Sequence, residues 1–99
     1  MTAKLIVLYS EIKDPKKFDE HYKNVHIPMA EKIPGVKKIV ASKVKAVAVG
    51  KANYYQVVEV YYDNMESLMK AGESKEAQEA LKDGLSLDPN LTILVAEEE

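Results

Sequence analysis

Two histidines, one isolated glutamate and a set of tyrosines are the side chains here that can move protons or hold a small molecule. His21 and His26 lie five residues apart in FDEHYKNVHIP. On a regular α-helix that spacing turns them roughly 140° from one another. Histidines that share a metal stand four apart on one face, as in the HExxH arrangement. The chain also has no cysteine, so no metal site is expected. Tyr22 and His26 are four apart and share a face wherever the helix continues. Two roles fit His26: hydrogen bonding to backbone groups freed by a nearby proline, or a neutral imidazole acting as acid or base near pH 7. His21 falls between charged neighbours and reads as a helix-flank residue at the margin of any ligand site.

Glu59 stands alone within YYQVVEVYY. If its face looks into a cleft walled by a dimer, burial raises its carboxyl pKa and makes it a candidate acid or base; on a less buried strand it is an ordinary solvated carboxylate. Tyr9, Tyr55 and Tyr61 are expected to line the same cleft with rings and hydroxyls suited to a small, partly apolar ligand. Plain strand packing is the alternative for tyrosines. The candidate set is therefore His26 and Glu59 as catalytic groups, with Tyr9, Tyr22, Tyr55, Tyr61 and His21 as ligand-binding ones. Other signatures are missing. There is no Gly-rich phosphate loop, nucleophile elbow, dinucleotide fingerprint or aromatic–basic RNA-binding pattern.

The elements that must position these groups follow from local signals. Residues 5–9 (LIVLY) read as a buried strand, with Leu5, Val7 and Tyr9 on one face and Ile6 and Leu8 on the other. Asp14 is an N-cap with Pro15 at the first helical position. Phe18, Tyr22, Val25 and Met29 then form one apolar stripe. Pro28 interrupts it. Pro28 removes a backbone donor, clashes with the Asn24 carbonyl and pushes Ile27 from helical angles, so a kink or a new short helix is expected there. Pro34–Gly35 ends the helical region. The lysine-rich run 36–46 suits an edge strand, and residues 47–53 a loop. Residues 54–62 are the most strand-like, with Tyr55, Val57, Glu59 and Tyr61 opposing Tyr54, Gln56, Val58, Val60 and Tyr62. Asp63 and Glu66 resemble a capping box for a helix to about Gly72. Ser74 caps a second helix over 75–82, with Asp83–Gly84 as its stop, and residues 91–96 form the last strand.

At 99 residues the chain is a single domain, 1–99, of globular composition: 46% hydrophobic and 30% charged. A net charge of −2 gives no reason to expect a nucleic-acid or membrane-surface partner. The apolar run near the amino terminus is too short for a signal peptide or membrane span, so a cytoplasmic location is expected. Strand, helix, strand, strand, helices, strand is the split βαβ order of an α+β ferredoxin-like sandwich, one antiparallel four-stranded sheet with helices on one face. Yet both faces of the two central strands are apolar. An uncovered apolar sheet face marks an interaction site, which predicts a homodimer packed sheet to sheet around a cleft.

The stretch 18–38, FDEHYKNVHIPMAEKIPGVKK, resembles the helix signature of the EthD family, approximately F-x-x-H-Y-x-x-x-H-x-P followed by a Pro-Gly turn. His21, Tyr22, His26 and Pro28 fall at matching positions, and KLIVLY, VVEVYYDNMESL and SKEAQEALKD extend the likeness over nearly the whole chain. The resemblance implies a dimeric α+β barrel of ferredoxin-like subunits. That family is named for a component of bacterial ethyl tert-butyl ether degradation. Relatives of the barrel include muconolactone-type isomerases, cofactor-independent quinone-forming monooxygenases and polyketide cyclases. In the isomerases a histidine and cleft tyrosines serve the substrate, and His26 is their nearest counterpart here. Two functions follow as expectations: a cofactor-independent isomerase, cyclase or oxidoreductase acting on a small, partly apolar molecule, or a non-catalytic protein that sequesters or delivers one. A void shared by His26 and Glu59 would favour the first.

Overall fold

Asp14 opens the first helix as its position requires: its carboxylate accepts the Lys17 backbone N–H at 3.2 Å, and Pro15 supplies the first turn. The computed structural model describes residues 1–99, and in it this helix runs in three pieces. An α-helical start, α1 (Pro15–His21), passes into a π-helical turn (Tyr22–His26) and then α2 (Ile27–Glu31). The expected break at Pro28 is therefore replaced by a widening of the helix. Ile27 keeps helical angles (φ −59°, ψ −46°), and its N–H reaches back five residues to the Tyr22 carbonyl. A wider turn just before the proline accommodates the missing N–H without ending the helix. Gly35, at φ +85°, then turns the chain toward the sheet, a conformation few other residues adopt.

The four strands are β1 (Ala3–Tyr9), β2 (Lys38–Lys43), β3 (Gln56–Tyr62) and β4 (Thr92–Glu97), in the spatial order β2-β3-β1-β4 with every neighbouring pair antiparallel. This is the ferredoxin-like α+β arrangement, with lysine-rich β2 on an edge as expected. Register decides which side each residue meets. Ala3, Leu5, Val7 and Tyr9 stand opposite Tyr62, Val60, Val58 and Gln56 on the helix side. Lys4, Ile6 and Leu8 stand opposite Tyr61, Glu59 and Val57 on the open side. Buried residues of β3 alternate accordingly, and the core joins Ala3, Tyr9, Phe18, Val58, Tyr62 and Leu68.

Helix α3 (Met65–Gly72) is capped by Asn64, whose Oδ1 accepts the Ser67 N–H at 2.8 Å, one residue later than the capping box expected at Asp63. The larger correction concerns α4 (Lys75–Leu87), which does not stop at Asp83–Gly84 but carries both in its interior. Gly84 is there for close approach: a Cβ on it would lie 3.2 Å from Leu91 Cδ2 and 3.6 Å from both His26 Cε1 and the Tyr9 hydroxyl. The helix ends instead at Asp88, 2% exposed. Its carboxylate accepts Ser10 N–H at 2.7 Å, Ser10 Oγ at 3.0 Å and Asn90 N–H at 2.9 Å, tying α4 to the end of β1. No helix is long and apolar enough to cross a membrane.

Candidate functional site

The π turn overturns the separation expected of the two histidines. Because it stacks residues five apart, His21 and His26 face α4 together, and Asp83 receives both. His21 Nε2 lies 2.8 Å from Asp83 Oδ1, and His26 Nδ1 lies 2.9 Å from Asp83 Oδ2. His21 is not peripheral in this arrangement. Its side chain is 38% exposed, whereas those of His26 and Asp83 are 13% and 12% exposed, so the trio runs from the surface inward. No group of three or more His, Cys, Asp or Glu side chains is arranged to hold a metal ion.

Burial pushes the Asp83 carboxyl up, but the hydrogen bonds from His21 and His26 outweigh it and hold the group below the usual carboxylate range. Asp83 is therefore a carboxylate at neutral pH and can only accept. That assigns the proton of neutral His26 to Nδ1 and leaves the lone pair on Nε2. The ring stacks on Tyr22 (centroids 5.4 Å apart, 24° between planes), which stacks in turn on Phe18 (5.7 Å, 8°). Residues 18, 22 and 26 thus form one ladder that fixes the imidazole orientation.

His26 lines a cavity of about 200 Å³ between the helix side of the sheet and helices α2, α3 and α4. Its walls are apolar, with Leu5, Val7, Val60, Leu68, Ala80 and Leu91 among them. Tyr9, 1% exposed, contributes its hydroxyl beside Gly84. Burial pushes that hydroxyl well above the ordinary tyrosine range, helped by Tyr22, Asp83 and Asp88, so it stays protonated. The combination is an imidazole with a fixed tautomer and a neutral hydroxyl, both in the lining of a mostly apolar space.

The other candidates lie elsewhere. Glu59 and Tyr61 are on the open face, so Glu59 shares no void with His26. Glu59 Oε2 accepts Lys4 Nζ at 2.9 Å and the Tyr61 hydroxyl at 3.1 Å. The Lys4 hydrogen bond holds its carboxyl below the usual range, opposite to the rise expected from burial. Strand alternation explains the separation: Tyr9 and Tyr61 have side chains on opposite faces, so one cleft cannot hold both. Tyr55, just before β3, packs edge-on against Phe18 at 5.4 Å and donates to Asp19 at 2.9 Å, where Lys43 also binds. Tyr22 borders a wider groove of about 640 Å³ between the first helix and β2, with Lys23, Lys43 and Gln56 around it. Burial pushes its hydroxyl up to about 12, opposed by the Gln56 amide, although neither Tyr22 OH nor Gln56 Nε2 makes a well-formed hydrogen bond.

Asp83 was missed in sequence because Asp–Gly after a short amphipathic run looks like a helix stop. The available signal was the apolar spacing of Ala77, Ala80, Leu81, Gly84 and Leu87, which continues through it.

Comparisons with known proteins agree with this fold. An uncharacterised 11.0 kDa protein from the thcB-thcC intergenic region of Rhodococcus erythropolis is 29% identical over 97 residues, covering 97% of this chain and 94% of that protein. The crystal structure of an ethyl tert-butyl ether d (EthD) family protein from Bacillus halodurans matches at 36% identity and TM-score 0.90, covering 100% of both chains. A dimeric ferredoxin-like protein of unknown function from Thermobifida fusca (15% identity, TM-score 0.73, 99% and 92% covered) shares the fold. So does SnoaB, a cofactor-independent oxygenase from Streptomyces nogalater (10%, 0.70, 99% and 93%). The sequence model of the EthD domain matches residues 11–85, which include the whole π-bearing helix, Glu59 and Asp83. The chain belongs to the EthD family.

Proposed function

We propose that the chain is a cofactor-independent acid–base enzyme that takes a small, partly apolar molecule into the cavity, with His26 moving the proton. One observation carries this reading: Asp83 holds His26 Nδ1 at 2.9 Å while the ring lines an apolar cavity, which leaves Nε2 free to act as base. When Nε2 takes a proton, the imidazolium formed is stabilised by the Asp83 carboxylate already in contact with it. Tyr9 stays protonated and donates to an oxygen on which charge develops. Proton-transfer isomerisation asks for no more than these groups. SnoaB, described as a cofactor-independent oxygenase, supports the reading that this fold accommodates such chemistry.

The test is exchange of C–H protons for solvent deuterium in a panel of small cyclic ketones and phenols, followed by proton NMR. Wild-type protein is expected to exchange at least one member about a hundredfold faster than His26→Phe, the low end for general acid–base catalysis. The absence of Glu59 from the cavity favours a second reading, a protein that binds and delivers its ligand unchanged. Binding with equal exchange rates in the two proteins would establish that one instead.

The same reading makes the working unit a homodimer joined through the open sheet face. Ile6, Leu8, Val57, Val40 and Leu94 lie on it around the Lys4–Glu59 pair, with Val40 and Leu94 at 37% and 47% exposure in the single chain. Light scattering at micromolar concentration should give twice the chain mass, and Leu94→Lys should shift it to the single-chain value. A monomeric wild type would refute the assignment.

A further inference from the structure

Two parts of the chain leave apolar side chains without cover, and they belong to opposite edges of the sheet. The first is an arm between β2 and β3, residues 45–51 (KAVAVGK). Val49 is 95% exposed and Val47 46%, and residues 46–53 make no backbone hydrogen bond. Alanine and valine alternate there with the period of a strand, but the arm has no sheet to join. Holding these side chains in water costs free energy that docking would recover.

The second part is β4, the far edge of the sheet, which pairs with β1 alone. It is uncovered on both faces. Ile93 and Val95, on the helix side, are 39% and 53% exposed, and Leu94, on the open side, is 47% exposed. Apolar side chains beside unpaired backbone groups make such an edge a template for another chain. The strand also bounds the cavity that holds His26. Ile93 lines it together with Leu81, itself 45% exposed, so this wall is only half covered in the single chain.

Resting on the homodimer joined through the open sheet face, we infer that residues 45–51 of each protomer dock along β4 of its partner and complete the partner's cavity wall. Sheet order, reach and charge select this occupant. A two-fold axis along the strands sets β2 of one copy over β4 of the other, because the two are opposite edges. The loop 44–55, closed by the Val44 N–H donating to the Tyr55 carbonyl, can extend roughly 15 Å, and face-to-face sheets stand about 10 Å apart. Lys45 and Lys51 bracket the arm, while residues 97–99 at the end of β4 are all glutamate. None of these five side chains forms an ion pair within the chain, and their charges are opposite in sign.

The chain has no cysteine, so engineered thiols report the contact directly. Val49→Cys chains are co-expressed with tagged Val95→Cys or Ile93→Cys chains, oxidised, and read by mass spectrometry for the mixed disulfide. Either pair is expected to give about tenfold more of it than Val49→Cys with Met69→Cys, an exposed position on α3, because docking raises the effective thiol concentration. Equal yields would overturn the inference. So would linkage of β4 to Ser42→Cys alone, which would assign the edge to the partner's β2. A second variant, Val49→Asp, places a charge in the docked arm. Light scattering should still give a dimer, while hydrogen exchange of the β4 amides rises about tenfold. Unchanged exchange would again overturn the docking. A monomeric wild type would remove the homodimer and this inference together, whereas a dimer without the β4 linkage removes the arm alone.

Discussion

Glu59 on the open face of the sheet and Asp83 on helix α4 over the other face each sit among apolar neighbours, and the two carboxylates are used in opposite ways. On the open face Glu59 is met by Lys4 and Tyr61, and Lys38 lies over the Tyr61 ring at 4.6 Å. The carboxylate there is met by a cation and a hydroxyl. On the helix side Asp83 also accepts two hydrogen bonds, but one donor is His26, whose ring lines a cavity and whose second nitrogen has no hydrogen-bond partner within the chain. A satisfied cluster fixes structure. A cluster with one lone pair left over, beside space for a second molecule, has the makings of chemistry.

The largest expected difference between the faces is in proton transfer. Asp83→Asn removes the negative charge that fixes the His26 tautomer and steadies its protonated form. It should lower the cavity-dependent exchange rate by about a hundredfold, whereas Glu59→Gln should leave it within about twofold. Equal losses would show that the two carboxylates are not divided in this way. Nitrogen NMR of the imidazoles supplies the direct readout, since Asp83→Asn frees the proton of His26 from Nδ1.

Pro28→Ala comes next. It restores an N–H and removes the ring that keeps the turn wide, so relaxation to a regular α-helix would rotate His26 away from Asp83 by about 100° for the one residue of excess. Weaker ligand binding together with loss of the histidine–Asp83 contacts is the expected outcome. If those contacts stay intact in NMR, packing against α4 rather than the proline holds the turn.

The smallest effect is on acid stability. Both carboxyls are held below their unfolded values, so each contributes stability that is present above about pH 4 and is lost as pH falls through the folded value. Asp83→Asn and Glu59→Gln should each flatten the decline of the denaturation midpoint below pH 4. The change should be greater for Asp83, whose side chain is 12% exposed against 29% for Glu59. A larger flattening from Glu59→Gln would reverse the contrast.

Much of this was legible in the sequence, and its limits have physical causes. Period-two alternation placed Leu5, Val7 and Tyr9 opposite Ile6 and Leu8, and Glu59 with Tyr61, as the register has them. Alternation within a strand does not say which of its faces meets the helices, so in sequence Tyr9 and Tyr61 fit one cleft equally well. The His21–His26 relation is hidden because angular spacing assumes 3.6 residues per turn, and a mid-helix proline signals a break in sequence rather than a widening. Asp83 failed for a related reason. Gly84 signals a stop because chain direction is a local property of glycine, whereas its actual role is to admit His26 and Tyr9 from elements 58 and 75 residues away in sequence.

The π turn also bears on how relatives should be aligned. It amounts to one extra residue inserted into an otherwise ordinary helix. A homologue with one residue fewer between its two histidines, and an unbroken α-helix, would present both to the same carboxylate. A gap opened between positions 21 and 26 would then mark a conserved geometry, and a search that insists on fixed spacing would discard the proteins most useful for comparison.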